Sequence, residues 1–536
     1  MQLAGFSLAL LSLACQPPTG DSHGNSATIA LENDIGGFNE LVSSDNTTTQ
    51  QVIERLYLDL LEEDPDSSQG PPRFGPKLAE SFEFADDGRT VTLHLQPDAN
   101  WSDGVPITAD DVRWTWQAQT NANVAWDYAD IKAAITDVEA VDAKTVRFHF
   151  DHHYANQLAD INEGVVLPRH VWSQLPFTEW RGGEDWFRKR LVVSGPYRVE
   201  HYAPGSELVM IANDRYFEAG LPVISKLQFQ VIPDSTSRVR GLLAGELDFI
   251  PKLRAHEAAQ VAKSDTAQVI AYPHRQYDYI AWNLQDPIFA SPAIRRALIR
   301  SINRQQIIDT LLSGYARTSN SPIVSTVWAH TDLEPWPYNP EAALEEFAEV
   351  GWQLDADDIL RNSDGDPFAF TLTFNAANSF RRDAAAMIQE QLKTVGVQVT
   401  LRPEDFSVLS QRLASYQHQA YLGAFNMDTT LDLTVILHSQ SIEDGYNFAG
   451  YANPEVDDLI ERVKTYSNIL DARQDLARIQ EILHHQQPMS FLWEPMRLNA
   501  RSNRLQNVEP NLIDSYADLR RWSLIGTEAD SAAQAR

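Results

Sequence analysis

The 536-residue sequence has a single cysteine, Cys15. One thiol rules out an intramolecular disulfide and any cysteine-based zinc site. Positive charge is also scarce, with 43 Lys and Arg against 74 Asp and Glu and a net charge of −31. Nucleic-acid binding needs a basic footprint, so this balance argues against it. The acidic excess reads as the solubility of an exposed, secreted protein. Beyond the N-terminus no stretch stays apolar for 18 residues, so no membrane span is expected. Enzyme signatures are missing too. There is no Gly-x-x-x-x-Gly-Lys-Ser/Thr or Gly-x-Gly-x-x-Gly. "HEAAQ" (256–260) carries Gln where a zinc-binding helix needs its second histidine. "RNSDGDP" (361–367) has Leu360 where a calcium loop needs its first carboxylate, so a turn is expected. The neighbours His152-His153 and His484-His485 point in different directions and read as surface residues.

A chain of this length exceeds a single core, which stops growing at roughly 250–300 residues, so two or more lobes are expected. At the N-terminus, "QLAGFSLALLSLAC" (2–15) is apolar from Leu3 to Ala14 and then reaches Cys15. It is too short to span a bilayer and has the form of a secretory signal. It resembles a bacterial lipoprotein signal, although no Lys or Arg precedes it and Ser12 stands where leucine is usual. The resemblance implies cleavage before Cys15 and lipidation of it; an ordinary signal peptide is the alternative. The Pro- and Gly-rich stretch 16–25 reads as a tether. The tail 526–536 is expected to fray.

Strand and helix patterns then alternate. Val52, Leu56 and Leu60 in "TTTQQVIERLYLDLLEED" (47–64) form one helical face. "ESFEFADDGRTVTLHLQ" (80–96) alternates on both sides of Asp87-Gly88, which predicts a hairpin. "AVDAKTVRFHF" (140–150) reads as a strand, and 194–214 as two strands joined at Pro204-Gly205. The second half continues with helices and strands in the same style. This rhythm indicates α/β layering.

"LQPDANWSDGVPITADDVRWTW" (95–116) gathers acids and three tryptophans around a Gly-Pro turn. A catalytic or sugar-binding surface would need such groups. A capped helix also explains them, since Thr108-x-x-Asp111 is a capping box and Asp110 and Asp111 sit at the positive end of the helix dipole. The tryptophans are then expected to pack.

The segment 78–116 resembles the signature of the extracellular solute-binding proteins of the oligopeptide, dipeptide and nickel class, which serve ABC importers. "SGPYRVEHYAPGSELVMIANDRYF" (194–217), "YIAWNLQDPIFASPAIRRALIRSINRQQIIDTLLSGYA" (279–316), "YNPEAALEEFAEVGW" and "YANPEVDDLIERV" resemble further parts of that family. The resemblance implies an α/β fold: a two-lobed periplasmic binding protein, type II-like, with an additional small α+β domain. Its first lobe would be 26–50, 190–273 and 500–525, the extra domain 51–189, and the second lobe 274–499. The ligand would be enclosed by closure about a hinge, with no chemistry performed and no cofactor or metal required. Expected partners are a peptide or other small molecule and the permease subunits. No nucleic acid is expected, a lipid anchor would be the one membrane contact, and the chain should be a monomer. The expected location is periplasmic, lipid-anchored through Cys15 or free.

In the peptide-binding branch an aspartate pairs the ligand ammonium. Asp428 falls at that position, with Phe425 where tryptophan is usual and Asp432 displaced from the family's Asp-Pro. A local cap is the alternative role for Asp428. Further candidates for ligand contact are Tyr421, Trp282, Asn283, Arg381 and Tyr446. Core packing is the favoured role for the aromatics, and Arg381 suits a carboxylate clamp or a solvated helix face equally. A nickel chelate, an oligosaccharide or an opine-like compound is the rival cargo, and a secreted hydrolase on the same scaffold is a distant alternative.

Overall fold

The computed structural model describes residues 25–43, 47–64 and 70–525. The signal-like segment with Cys15, nearly all of the tether and the tail lie outside the described residues.

Two mixed sheets organise the chain. The first has seven strands in the spatial order Ala267–Tyr272, Arg497–Ser502, Phe249–Ile250, Ser26–Leu31, Lys226–Val231, Glu207–Ala212 and Tyr197–Ala203. The second has six, in the order Ala316–Thr318, Met489–Pro495, Gln276–Trp282, Ala420–Asn426, Ala369–Asn375 and Gln398–Glu404. Both faces of the second sheet are covered, and side-chain alternation divides its residues. Tyr277, Tyr279 and Ala281 enter one apolar cluster, while Ile280 and Trp282 enter the opposite one. Helices Pro454–Thr465 and Arg473–Gln486 cover the first face; Pro292–Arg300, Pro340–Glu349 and Ser379–Lys393 cover the second.

A four-stranded antiparallel sheet, Ala79–Phe84, Thr90–Leu95, Thr145–Phe150 and Ile135–Ala140, makes a third layer. Its Val91, Leu93 and Val146 share one core with Ile29 and Phe229 of the first sheet. This layer is therefore fused to the first sheet by continuous packing.

The chain crosses between the two large sheets twice, side by side. It leaves the first after Tyr272 and enters the second at Gln276; it returns between Pro495 and Arg497. Tyr272 pairs with Arg497 on one side of the crossing and Asp278 with Trp493 on the other. A paired crossing of this kind permits rotation with little backbone change, which is the requirement of a hinge.

Two local expectations are corrected. The helix predicted over 47–64 ends at Leu56, and Leu61–Asp64 is a strand paired with Arg73–Pro76. The reason is tertiary. The Leu56 carbonyl accepts from Gly195 N–H at 2.8 Å and the Leu60 carbonyl from Ala79 N–H at 2.8 Å, so these groups are lost to helix continuation. Gly195 permits that approach, because a Cβ there would lie 2.6 Å from the Arg55 carbonyl oxygen. The strand predicted over 140–150 is a hairpin, turned where Asp142 Oδ1 accepts from Lys144 N–H at 2.8 Å. The expected hairpin around Gly88 forms, with Gly88 at φ +66°.

In the segment 95–116 the helix runs Ala109–Gln119, and Asp111 Oδ2 accepts from Thr108 N–H at 2.8 Å. Asp111 Oδ1 also accepts from Arg169 N–H at 3.2 Å. Asp103 holds the turn, accepting from Val105 N–H at 3.1 Å and meeting His170 Nε2 at 2.8 Å. Trp101 is fully buried, and Trp114 packs on Phe177 and Trp180 with centroids 5.7 Å away in each case.

Candidate functional site

A cavity of about 2210 Å³ lies between the third layer, the second sheet and the C-terminal loop 507–521. Drug-sized ligands occupy roughly 300–1,000 Å³, so this space suits a larger or well-hydrated guest.

Each wall has a structural origin. The strand Ala420–Asn426 runs on into the loop 427–433, where Met427 N–H donates to the Arg275 carbonyl at 2.7 Å. That bond fixes the loop against the hinge. Within it Asp432 Oδ1 caps the following turn by accepting from Thr434 N–H at 2.8 Å. Asp428 is exposed on the cavity, with the surrounding protein mass still displacing part of its water. Burial raises its pKa and Asp432 adds to the rise, against hydrogen bonds from Thr430, Leu431 and Asp432. Asp428 therefore caps its own turn and faces the cavity at once.

On the opposite wall Glu63 projects from the strand Leu61–Asp64. Arg275 Nη1 donates to Thr429 Oγ1 at 2.7 Å and its Nη2 to Glu63 Oε1 at 3.1 Å. The Thr429 hydroxyl donates to Glu63 Oε2 at 2.8 Å. Two more bonds span the cleft: Asn156 Nδ2 to the Thr430 carbonyl at 3.1 Å, and Ala155 N–H to the Tyr466 carbonyl at 2.9 Å. The two halves are thus in direct contact beside the hinge.

Of the residues singled out from sequence, Asp428, Asp432 and Tyr446 line this cavity. The others lie elsewhere. Trp282 is fully buried, with Nε1 donating to Ser490 Oγ at 2.9 Å. Asn283 ties strand ends together, donating to the His418 carbonyl at 2.7 Å. Tyr421 packs between Tyr279 and Phe448, and Phe425 against Tyr277. Arg381 sits 3.8 Å from the buried Asp278, whose pKa is pushed up to about 6 by burial. Glu63, Arg275, Thr429, Asp160 and Glu163 line the cavity and were not found from sequence. They come from four segments, with only Asp160 and Glu163 sharing one, and no recognised motif marks them.

Among the described residues no group of three or more His, Cys, Asp or Glu is placed to hold a metal ion. No helix among them is long and apolar enough to cross a membrane.

Two lobes joined by paired crossing strands around a large polar cavity define a binding protein of the hinged, ligand-enclosing class. The profile of the bacterial extracellular solute-binding proteins, family 5 (middle region), matches residues 73–446, and the chain belongs to this family. It is a solute-binding component of the ABC-importer type. It is similar to the oligopeptide-binding protein AppA of Bacillus subtilis (strain 168), 26% identical over 495 residues that cover 91% of this chain and 89% of that one. Protein XP55 of Streptomyces lividans is 30% identical over 474 residues, covering 85% and 82%. The solved structure of Bacillus subtilis AppA in complex with a nonapeptide superposes with a TM-score of 0.77 at 26% identity, covering 93% of this chain and 98% of that one. NikA of Brucella suis in complex with Fe(III)-EDTA gives a TM-score of 0.82 at 20% identity, covering 93% and 99%, and shares the fold.

Proposed function

We propose that this protein captures peptides in the 2210 Å³ cavity and presents them to an importer's permease. The size of the cavity, on a fold shared with a protein solved around a nonapeptide, is the observation that supports the reading most. Peptides of varied sequence share a backbone and termini, so a broad binder grips those and leaves side chains in hydrated space. The first lobe is assigned to 26–50, 190–273 and 500–525, the extra domain to 51–189 and the second lobe to 274–499. The distribution of strands between the two large sheets supports this division apart from residues 497–499, which pair within the first sheet. Ligand touching both halves draws the population toward the closed form, which the permease reads. A hundredfold preference supplies about 2.7 kcal/mol, so the lobes must be nearly balanced without ligand.

The protein acts by binding alone, as a monomer held at the membrane by a lipid on Cys15. Asp428 contacts a cationic group of the ligand, and Tyr446, 59% exposed, offers a ring to it. Mass spectrometry of ligand released from the purified protein, with a thermal-shift screen of peptides, sugars and metal chelates, tests the function. Peptides in the released fraction and a raised Tm with peptides are expected. A shift with sugars or chelates alone would overturn the reading, and turnover of peptides would overturn the purely binding role.

A further inference from the structure

Among the described residues the cavity wall holds fifteen carboxylates and six Lys or Arg side chains. The six cations are already committed. Arg55 meets Glu54 at 2.7 Å and Asp514 at 2.6 Å, Lys77 meets Asp59 at 2.6 Å, and Arg275 meets Glu63 at 3.1 Å. Arg520 lies 3.2 Å from Glu62, Arg521 3.7 Å from Glu218, and Lys464 2.9 Å from Glu461. A ligand carboxylate entering this space finds each of these cations paired, while many wall carboxylates have no cationic partner.

The uncommitted negative charge is concentrated where the halves meet. Asn156 donates across the cleft to the Thr430 carbonyl, at the start of the helix Gln157–Asn162. Residues three and four apart share a helix face, so Asp160 lies one turn beyond Asn156 on the side facing the loop 427–433, and Glu163 follows it. Asp160 accepts from the Tyr154 hydroxyl. The Glu163 carboxylate lines the cavity and accepts no hydrogen bond among the described residues. Lys132 stands behind them, its ammonium donating to backbone carbonyls that include Glu163 O at 2.7 Å, and its charge offsets part of the charge of Asp160 and Glu163. Opposite stand Asp428 and Asp432. Burial raises the pKa of both Asp160 and Glu163; the Lys132 charge opposes the rise in each, as does the Tyr154 hydroxyl for Asp160, and the Asp428 charge adds a smaller rise to both. Among the described residues these groups are not arranged as a metal site.

We propose that Asp160 and Glu163 on one half, facing Asp428 and Asp432 on the other, form a subsite for a Lys or Arg side chain, making this a receptor for basic peptides. The inference rests on the peptide reading and adds charge selection to it. Closure brings four carboxylates together, so an ammonium or guanidinium between them removes a repulsion that opposes the closed form. A neutral side chain leaves that repulsion in place.

The test uses three pentapeptides of equal length, Ala-Ala-X-Ala-Ala with X as Lys, norleucine or Glu, titrated calorimetrically into the full protein. The Lys peptide should bind at least tenfold more tightly than the norleucine peptide, and the Glu peptide most weakly. The double variant Asp160→Asn and Glu163→Gln keeps hydrogen-bond acceptors, and its Tm confirms folding. It should lose the Lys preference and bind the norleucine peptide more tightly than the parent does, because two of the four repelling charges are gone. Equal binding of Lys and norleucine peptides, or an undiminished preference in a folded double variant, would overturn the subsite and leave peptide capture standing. If no peptide binds while a sugar or chelate does, the peptide reading falls and the subsite with it. If the double variant does not fold, Glu163→Gln alone carries the same comparison, since that carboxylate accepts no hydrogen bond.

Discussion

The segment 95–116 and the loop 427–433 teach opposite lessons. The first has the stronger local signals: a turn, a capped helix and three tryptophans, all formed as their chemistry dictates. None of its residues lines the cavity. The loop has weak signals, with Leu431 at φ +58° and a displaced aspartate, yet Met427 through Leu433 all line the cavity. Strong local patterning marks residues that must satisfy their immediate neighbours. Ligand contact depends on what the fold brings opposite, and sequence spacing does not encode that.

The largest contrast should come from Trp101. Its ring is fully buried, and Trp101→Ala leaves a large cavity, costing about 3–5 kcal/mol. Denaturant titration should show that loss, while calorimetry on the folded protein should show nearly unchanged peptide affinity. A selective loss of binding would place the segment in the site.

Thr429→Val should do the reverse. The hydroxyl accepts from Arg275 and donates to Glu63 across the cleft. Its removal leaves a charged acceptor and a charged donor poorly met, weakening closure by roughly 1.5–3 kcal/mol. Small-angle scattering should show a more open protein and calorimetry a peptide affinity lower by about tenfold or more. Unchanged scattering and affinity would remove this contact from the closing mechanism.

Asp103→Ala returns to the first segment with a smaller effect. It loses the contacts to Val105 N–H and His170, worth about 0.5–1.5 kcal/mol in stability. Ligand affinity should stay nearly constant.

Most of the fold was legible in sequence because its elements carry local punctuation. Asp234 caps the helix Ser235–Ala244 and Gly245 ends it at φ +78°. Legibility failed at Leu56, where partners some 140 residues away in sequence capture the carbonyl that a longer helix would use. The site was less legible for the same reason. Asp428 stood out by resemblance, whereas Glu63 and Thr429 meet only after folding, 366 residues apart in the chain. Trp282 and Asn283 look like binding residues by type, but strand alternation turns Trp282 inward and Asn283 bridges backbone carbonyls.

The smallest expected effect separates scaffold from cavity wall by its sign. Asp103 supports structure, so its loss destabilises. Glu40 faces the cavity, where burial pushes its pKa up to about 8 from 4.5, opposed by the bond its Oε2 accepts from Val165 N–H at 2.9 Å. The folded protein therefore holds a proton on Glu40 that the unfolded chain releases. The resulting stabilisation is fully present below pH 4.5 and is lost as pH rises through about 8. Glu40→Gln fixes the neutral form and keeps the acceptor. Its Tm should match the parent below about pH 4.5 and exceed it progressively from there to about pH 8, levelling off above. A variant less stable than the parent at pH 8 would mean that the Glu40 charge supports the fold, and would erase the distinction between cavity wall and scaffold drawn from Asp103.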